Sequence, residues 1–256
     1  MDKKNKKINF SLVILSFNEL EGCKKVIPRI DKTLFDELIA IDGGSTDGTI
    51  EYLKSNNFEV YIKKNSSYNK YDRIIKRKHL TDAYWLGVEK SNCSHIVIPF
   101  TPDENMIPEL LPNLVNKTKE GYDLVCVSRY KDHAVSYDDT LVSGFGNWMF
   151  TKLVNILFGG KFTDVLGGYK CVKKNLYNKI GVCSDTINVA IHTQLAIGVL
   201  KNNLRYADIP GDEPKRVTGK SATSAFWNGL QELFTILSAF LIKNKFKFKW
   251  ILILKI

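Results

Sequence analysis

Short apolar runs separated by polar, helix-patterned stretches recur along the first half of this chain, and their spacing predicts alternating strands and helices. Phe10-Ser-Leu-Val-Ile-Leu-Ser16 reads as a buried strand followed by polar groups at Asn18 and Glu19, with a helix beginning near Glu21. Glu37-Leu-Ile-Ala-Ile41 repeats the arrangement. It delivers Asp42 to its carboxyl end, and the next helix is expected near Asp47, capped by Ser45 or Thr46. Further strands are expected over residues 58–62, 94–100 and 122–129, and helices over 81–90 and from Ile107, with Pro108 near the first turn. Residues 63–78 read as a polar loop. This alternation predicts an α/β domain with a mostly parallel central sheet flanked by helices.

The second half is less regular. A helix carrying Trp148 is expected over 143–158, a loop from Phe162 leads into a strand ending at Val172, and a helix over 186–200 precedes a short strand over 204–209. The apolar run Leu233-Phe-Thr-Ile-Leu-Ser-Ala-Phe-Leu-Ile242 is about half of what a helix needs to cross a bilayer. Lysines alternate with aromatics after it, and Trp250-Ile-Leu-Ile-Leu254 follows. The run fits either an interfacial helix whose basic neighbours face lipid phosphates, or a core helix followed by an edge strand. The chain thus divides into a basic tail (1–8), a main domain (9–232) and an amphipathic basic segment (233–256).

The formal charge of +10 over 256 residues calls for an anionic partner, with lysines crowded at both ends. Nucleic acid is excluded because no aromatic-basic platform or groove-reading motif is present. Five widely spaced cysteines with no Cys-x-x-Cys pair read as core thiols of a reducing compartment, and no secretory leader precedes the first strand. These features predict a cytoplasmic protein, peripheral at the cytosolic face of a membrane.

The strand ends carry the candidate chemistry. In Asp42-Gly-Gly-Ser-Thr-Asp-Gly-Thr49, an acid and two glycines join strand to helix; Gly43 and Gly44 allow a sharp turn and leave room for a ring. Ser16, Asn18 and Glu19 should lie beside Asp42 and Ser45 at the carboxyl edge of the sheet, where open α/β folds bind ligands. Asp103-Glu-Asn105 follows a buried strand as oxygen ligands for Mg²⁺ or Mn²⁺ would. Neighbours on an extended chain point to opposite faces, so Asp103 and Asn105 are the paired candidates. Arg129, at another strand end, fits either a surface charge or a phosphate clamp.

Ser16-Phe-Asn-Glu19, Asp42 to Thr49, Asp103, Ser128-Arg-Tyr130, Asp164-Val-Leu-Gly-Gly-Tyr-Lys170 and Arg216-Val-Thr-Gly-Lys-Ser221 occur in an order that resembles family 2 glycosyltransferases of the GT-A fold. Within them the chain resembles the dolichol- or polyprenol-phosphate mannosyltransferase-like branch, from about Asn9 to about Leu241. The resemblance implies a GT-A nucleotide-diphospho-sugar transferase fold and transfer of a sugar from a nucleoside diphosphate sugar with inversion. It implies that Ser16, Asn18, Glu19, Asp42, Gly43, Gly44 and Ser45 hold the nucleotide and that Asp103 and Asn105 hold the metal. It also places Arg129 near an acceptor phosphate, and Arg216, Lys220 and Ser221 in a loop over the pyrophosphate.

The chain departs from the family pattern in several places. Gly43 stands where a second aspartate is common, Arg73 to Asp82 where a glycine-rich stretch is common, and Ala222 where a lysine is common, with Lys220 nearby. The usual two aspartates separated by one residue are reduced to Asp103. His192 and Gln194 stand where relatives tend to carry a glutamate. A sugar hydroxyl needs a positioned base, whereas a phosphate monoester is already ionised and needs orientation and charge screening. The missing base therefore favours a polyprenyl phosphate acceptor. Asp212 or its neighbour Glu213 keeps a glycan hydroxyl acceptor open, and His192 reads as structural. A catalytically weakened nucleotide-sugar-binding relative is the other alternative.

Overall fold

The computed structural model describes residues 8–63, 73–180, 190–215 and 225–241, with the side chains of 73–81 and 225–227 left aside. Seven strands, β1 (Phe10–Ser16), β2 (Glu37–Asp42), β3 (Glu59–Ile62), β4 (His95–Phe100), β5 (Leu124–Ser128), β6 (Lys170–Lys173) and β7 (Tyr206–Pro210), form one sheet in the order β3-β2-β1-β4-β6-β5-β7. All neighbours are parallel except β6, which runs antiparallel to both β4 and β5. The helices are α1 (Leu20–Val26), α2 (Thr49–Ser55), α3 (Arg73–Lys90), α4 (Leu111–Lys119), α5 (Leu141–Phe158), α6 (Leu176–Ile180), α7 (Ile191–Lys201) and α8 (Ala225–Leu241).

Strict alternation along the central strands sends apolar side chains to both faces, which is why both faces are roofed by helices. Leu12 and Ile14 join a core with Cys23 and Val26 of α1, Leu53 of α2 and Leu114 of α4. Val13 and Leu15 join the opposite core with Tyr84 and Val88 of α3, Phe150 and Val154 of α5, Leu195 of α7 and Ile236 of α8. The chain runs outward from β1 to β3, then returns to place β4 on the other side of β1. That reversal makes the carboxyl ends of β1 and β4 a topological switch point, the place in an open sheet where a crevice opens.

Several boundaries differ from those read in the sequence. The stretch expected to be a loop to Lys78 is helical from Arg73, so α3 is longer than the segment over 81–90. The helix after β2 starts at Thr49, not near Asp47, and Gly48 in the left-handed region (φ 96°) is its N-cap; neither Ser45 nor Thr46 caps it. The helix expected over 186–200 is described from Ile191 to Lys201. The short helix α6 was not foreseen. α5 starts at Leu141, two residues upstream of the expected start, and Thr140 caps it through a reciprocal pair with Ser143.

The run from Leu233 continues a helix that begins at Ala225, so the boundary drawn at residue 232 falls inside α8. Thr235, Ile236 and Ala239 of that helix are buried, while Leu233, Phe234, Leu237, Phe240 and Leu241 are exposed. The run therefore has one buried face and one exposed apolar face. Residues 250–254, expected as an edge strand, lie outside the described residues. Among the described residues no helix is long and apolar enough to cross a membrane. Cys23, Cys93, Cys126 and Cys171 are buried free thiols.

Glu232 is the one acid in α8, and it is buried against α7. Burial pushes its carboxyl up to about 7, against the opposing pull of Thr193 and Lys170. A raised carboxyl is neutral in the folded chain while its unfolded counterpart ionises. Stability therefore falls as pH rises from the unfolded value of 4.5 to about 7, and levels off above. Glu232→Gln removes this dependence. It is expected to stabilise the protein by roughly 2–3 kcal/mol at pH 8 and by little at pH 4.5, measured as chemical denaturation midpoints across that range.

Candidate active site

Two turns at the carboxyl ends of β1 and β2 are locked to one another, and the lock is Asp42. Its carboxylate is fully buried; Oδ1 accepts the backbone N–H groups of Gly44 (2.8 Å) and Ser45 (2.6 Å), and Oδ2 accepts the hydroxyls of Ser16 and Ser45 (both 2.7 Å). Four donors on one carboxylate leave it without appreciable capacity for a ligand. Asp42 thus shapes the turn.

The second turn is tied to the first by reciprocal bonds. The Asn18 N–H donates to Ser45 Oγ (2.8 Å), and Asn18 Oδ1 accepts the Thr46 N–H (3.0 Å). The Glu19 N–H donates to Thr49 Oγ1 (3.0 Å), and the Leu20 N–H to Asp47 Oδ2 (3.1 Å). Burial works against ionisation of Asp47, but hydrogen bonds from Thr49 and Leu20 outweigh it and hold the carboxyl below its usual range. Asn18 itself adopts φ 53°, which asparagine tolerates better than most residues.

Gly43 has no side chain because a Cβ there would come within 2.9 Å of the Phe17 ring. Phe17 is exposed at this rim and was missed as a site residue; an aromatic between Ser16 and Asn18 was the available signal. Gly44 takes φ 94°, with open space where a Cβ would point. Ser16, Asn18, Glu19, Asp42, Gly43, Gly44 and Ser45 are thus brought together in one rim.

The acidic turn after β4 stands next along that rim. Residues 102–105 form turns, not the extended chain assumed in pairing Asp103 with Asn105. Thr101 Oγ1 (2.8 Å) and the Asn105 N–H (3.3 Å) donate to Asp103 Oδ1. Glu104, with φ 64°, turns away to Lys25. The Asn105 amide nitrogen donates to the Pro214 carbonyl (2.9 Å), which occupies the nitrogen and not the oxygen of that amide. The turn rests on α1, where a Cβ on Gly22 would meet the Pro102 carbonyl oxygen at 2.0 Å.

No group of three or more His, Cys, Asp or Glu side chains placed to hold a metal occurs among the described residues. One carboxylate and one amide oxygen suit a hard cation that takes its remaining ligands from water and from substrate phosphates. That donor set fits Mg²⁺ or Mn²⁺ in that shared mode.

At the far side, Arg129 follows β5 and enters a largely buried ion pair. Nε and Nη2 donate to the two oxygens of Asp164 at 2.6 and 3.0 Å, and Nη1 donates to Glu213 Oε2 at 3.3 Å. Burial opposes ionisation of Asp164, yet Arg129 outweighs it and holds the carboxyl below its ordinary value. The Gly167 N–H (2.9 Å) completes the shell, and a Cβ on Gly167 would press within 2.8 Å of Asp164. The planar fork expected to meet an acceptor phosphate is therefore mostly occupied by Asp164, and only its Nη1 edge has an exchangeable partner.

Beyond β7 the two candidate acids are placed differently. Asp212 is exposed, and its Oδ1 accepts the Val135 N–H (2.8 Å), so it fastens a loop. Glu213 is the one that turns inward, held by Ser136 Oγ (2.5 Å) and Arg129. His192 lies buried beside Gly168, and burial, reinforced by Lys170, lowers it to about 3. It is therefore held in its neutral form, away from solvent. Arg216, Lys220 and Ser221 lie outside the described residues.

The profile of Glycosyl transferase family 2 matches residues 11–181, about two thirds of the sequence, and the chain belongs to that family. It is 25% identical over 195 residues to the glycosyltransferase AglJ of Haloferax volcanii, covering 76% of this chain and 59% of that protein. It is 27% identical over 123 residues to a dolichol-phosphate mannosyltransferase of Pyrococcus furiosus, covering 47% of this chain and 33% of that one. The chain thus spans little more than half the length of the first of these curated relatives. The fold matches glucosyl-3-phosphoglycerate synthase of Mycobacterium tuberculosis, solved with Mn²⁺, uridine diphosphate and glucosyl-3-phosphoglycerate. There the TM-score is 0.63 at 19% identity, covering 93% of this chain and 81% of that one. The sheet therefore has the GT-A glycosyltransferase fold.

Asp164→Asn tests the buried pair. Removing one partner of such a pair leaves the other without its counter-charge, so the variant should lose about 3 kcal/mol. For a chain of this size that lowers Tm by roughly 6–12 °C. Scanning calorimetry checks it.

Proposed function

We propose that this protein transfers a sugar from a nucleoside diphosphate sugar to a polyprenyl phosphate at a cytosolic membrane face, with inversion. The observation that carries the donor half is the seating of three turns along one rim. The ends of β2, β1 and β4 are consecutive in the sheet, and they bring the Asn18–Ser45 lock, exposed Phe17 and Asp103 to the switch point. Such a rim, with an exposed aromatic ring and hard oxygens, suits a base, a ribose and a metal-bound diphosphate.

In this reading Phe17 and the 42–45 turn shape the nucleotide pocket, and Asp103 with Asn105 would hold the divalent ion. A bound Mg²⁺ or Mn²⁺ supplies charge screening for the departing diphosphate. The structural neighbour with bound Mn²⁺ and uridine diphosphate supports the reading at the level of fold.

Arg129 serves the acceptor half. Asp164 fixes the guanidinium in place, and the single 3.3 Å contact with Glu213 is the one a phosphate dianion can take over, because Glu213 keeps Ser136 as a partner. A phosphate nucleophile needs no base, so the low basicity of His192 is compatible with it. The mannosyltransferase-like branch of the family is favoured for the same reason, with the relative from Pyrococcus furiosus in support. One observation favours a second reading: Glu213 is a carboxylate directed into the same corner, where it could deprotonate a glycan hydroxyl.

Asp103→Ala is expected to weaken nucleoside diphosphate binding in Mn²⁺ by about tenfold or more and to abolish the difference between binding with and without the metal; titration calorimetry reads both. Glu213→Gln separates the two acceptors. With a polyprenyl phosphate acceptor it should leave kcat within about threefold of wild type. For a hydroxyl acceptor, kcat should fall by roughly a hundredfold or more, with loss of the acidic limb of the pH–rate profile. A panel of nucleotide sugars incubated with a short polyprenyl phosphate and with an oligosaccharide shows which case holds. Donor that is bound and recovered unchanged with both would overturn the enzymatic reading.

A further inference from the structure

We infer that Tyr169 is a positioning residue for the acidic turn after β4, holding Asp103 and Asn105 where they can share a divalent ion with the donor diphosphate. The inference rests on the metal reading above. Between Phe100, the last residue of β4, and the short 3₁₀ turn at Pro108–Leu110 the chain has neither helix nor strand, so the place of these two oxygen donors depends on a few contacts. The bonds that Asp103 Oδ1 accepts from Thr101 and Asn105 stay inside the turn and fix its shape, not its place. Its place is fixed from both ends. Pro102 lies on α1 at the close approach to Gly22. At the other end the Ile107 carbonyl accepts the hydroxyl of Tyr169 at 3.0 Å.

Tyr169 is itself firmly seated. It is 6% exposed, its ring meets that of Phe100 edge to face at 5.6 Å, and its own carbonyl accepts the Val127 N–H of β5 at 2.9 Å. The ring is thus held by β4 and the backbone by β5, which makes the hydroxyl a fixed point from which to hold the turn. Gly168 brings the two segments close, since a Cβ there would stand 3.3 Å from Met106 Cε and 3.5 Å from His192 Nε2. The Ile107 carbonyl also accepts the Leu110 N–H at 3.1 Å, so deleting the phenol hydroxyl leaves no orphaned acceptor. What goes is the tie between the turn and the sheet. Groups that orient metal ligands from behind set metal affinity although they never touch the ion. The stretch from Asp164 to Lys170 therefore serves two places: Asp164 fixes Arg129, and Tyr169 fixes the turn that carries the metal ligands.

Tyr169→Phe deletes the hydroxyl and keeps the ring. Uridine diphosphate and guanosine diphosphate are titrated into full-length protein with and without Mn²⁺ by calorimetry, and the ratio of the two affinities is read for whichever nucleotide wild type binds. Tyr169→Phe should lower that ratio by about three- to tenfold, leave the metal-free affinity within about twofold, and change the electron paramagnetic resonance line shape of the bound Mn²⁺. Tm should fall by no more than about 4 °C, because Ile107 keeps one donor. Tyr84→Phe is the control: it removes a buried phenol hydroxyl from the Tyr84–Tyr177 pair (2.6 Å) on the opposite face of the sheet and should keep the wild-type ratio. A ratio unchanged by Tyr169→Phe, or lowered equally by Tyr84→Phe, overturns the inference. If Asp103→Ala abolishes the metal dependence while Tyr169→Phe leaves it intact, the metal site stands and the inference alone falls; a wild type whose affinity Mn²⁺ does not change overturns both.

Discussion

A carboxylate withdrawn from water must find its full set of donors, and the architecture of this enzyme depends on meeting that requirement twice. Asp42 meets it with two backbone N–H groups and two hydroxyls, so that a glycine-bearing turn acquires a single shape. Asp164 meets it with the guanidinium of Arg129 and the N–H of Gly167, which joins the end of β5 to the loop before β6. The first carboxylate organises the turns after β1 and β2 and the second the loop before β6. In both places the acid is spent on scaffolding, and the groups left over for ligands are its neighbours.

Between these two centres the sheet provides the spacing. Because β6 inserts antiparallel between β4 and β5, the donor strands and the acceptor strand are held apart by one strand width, while the Asn105–Pro214 bond ties their loops across the gap. Close backbone approaches at Gly22 and Gly167 show how tightly these loops are set, since a single methyl group at either would collide with the turn it supports.

On the helical side, α8 carries two different demands on one element. Its inner face seals the core through Ile236 and Ala239 and buries Glu232, while its outer face presents exposed apolar side chains. Burial of that acid makes the attachment of α8 sensitive to pH near neutrality. The same helix thus joins the core to an exposed apolar face.

The order of the strands along the chain, the two-sided core and the grouping of Ser16, Asn18, Glu19, Asp42 and Ser45 were legible in sequence, because period-two burial and strand-end chemistry are local properties. Where α3 starts and how α2 is capped were not, since Gly48 and Asp47 do locally what a serine was expected to do. Partner choice lay further out of reach. That Arg129 is claimed by Asp164, thirty-five positions away, that Glu213 faces inward while Asp212 faces out, and that His192 is too deeply buried to act as a base depend on contacts between distant segments. Sequence alone determined which residues reach the edge of the sheet. Only the tertiary structure decided which of them remain available to a substrate, because a charged group's availability is set by whatever distant partner already satisfies it.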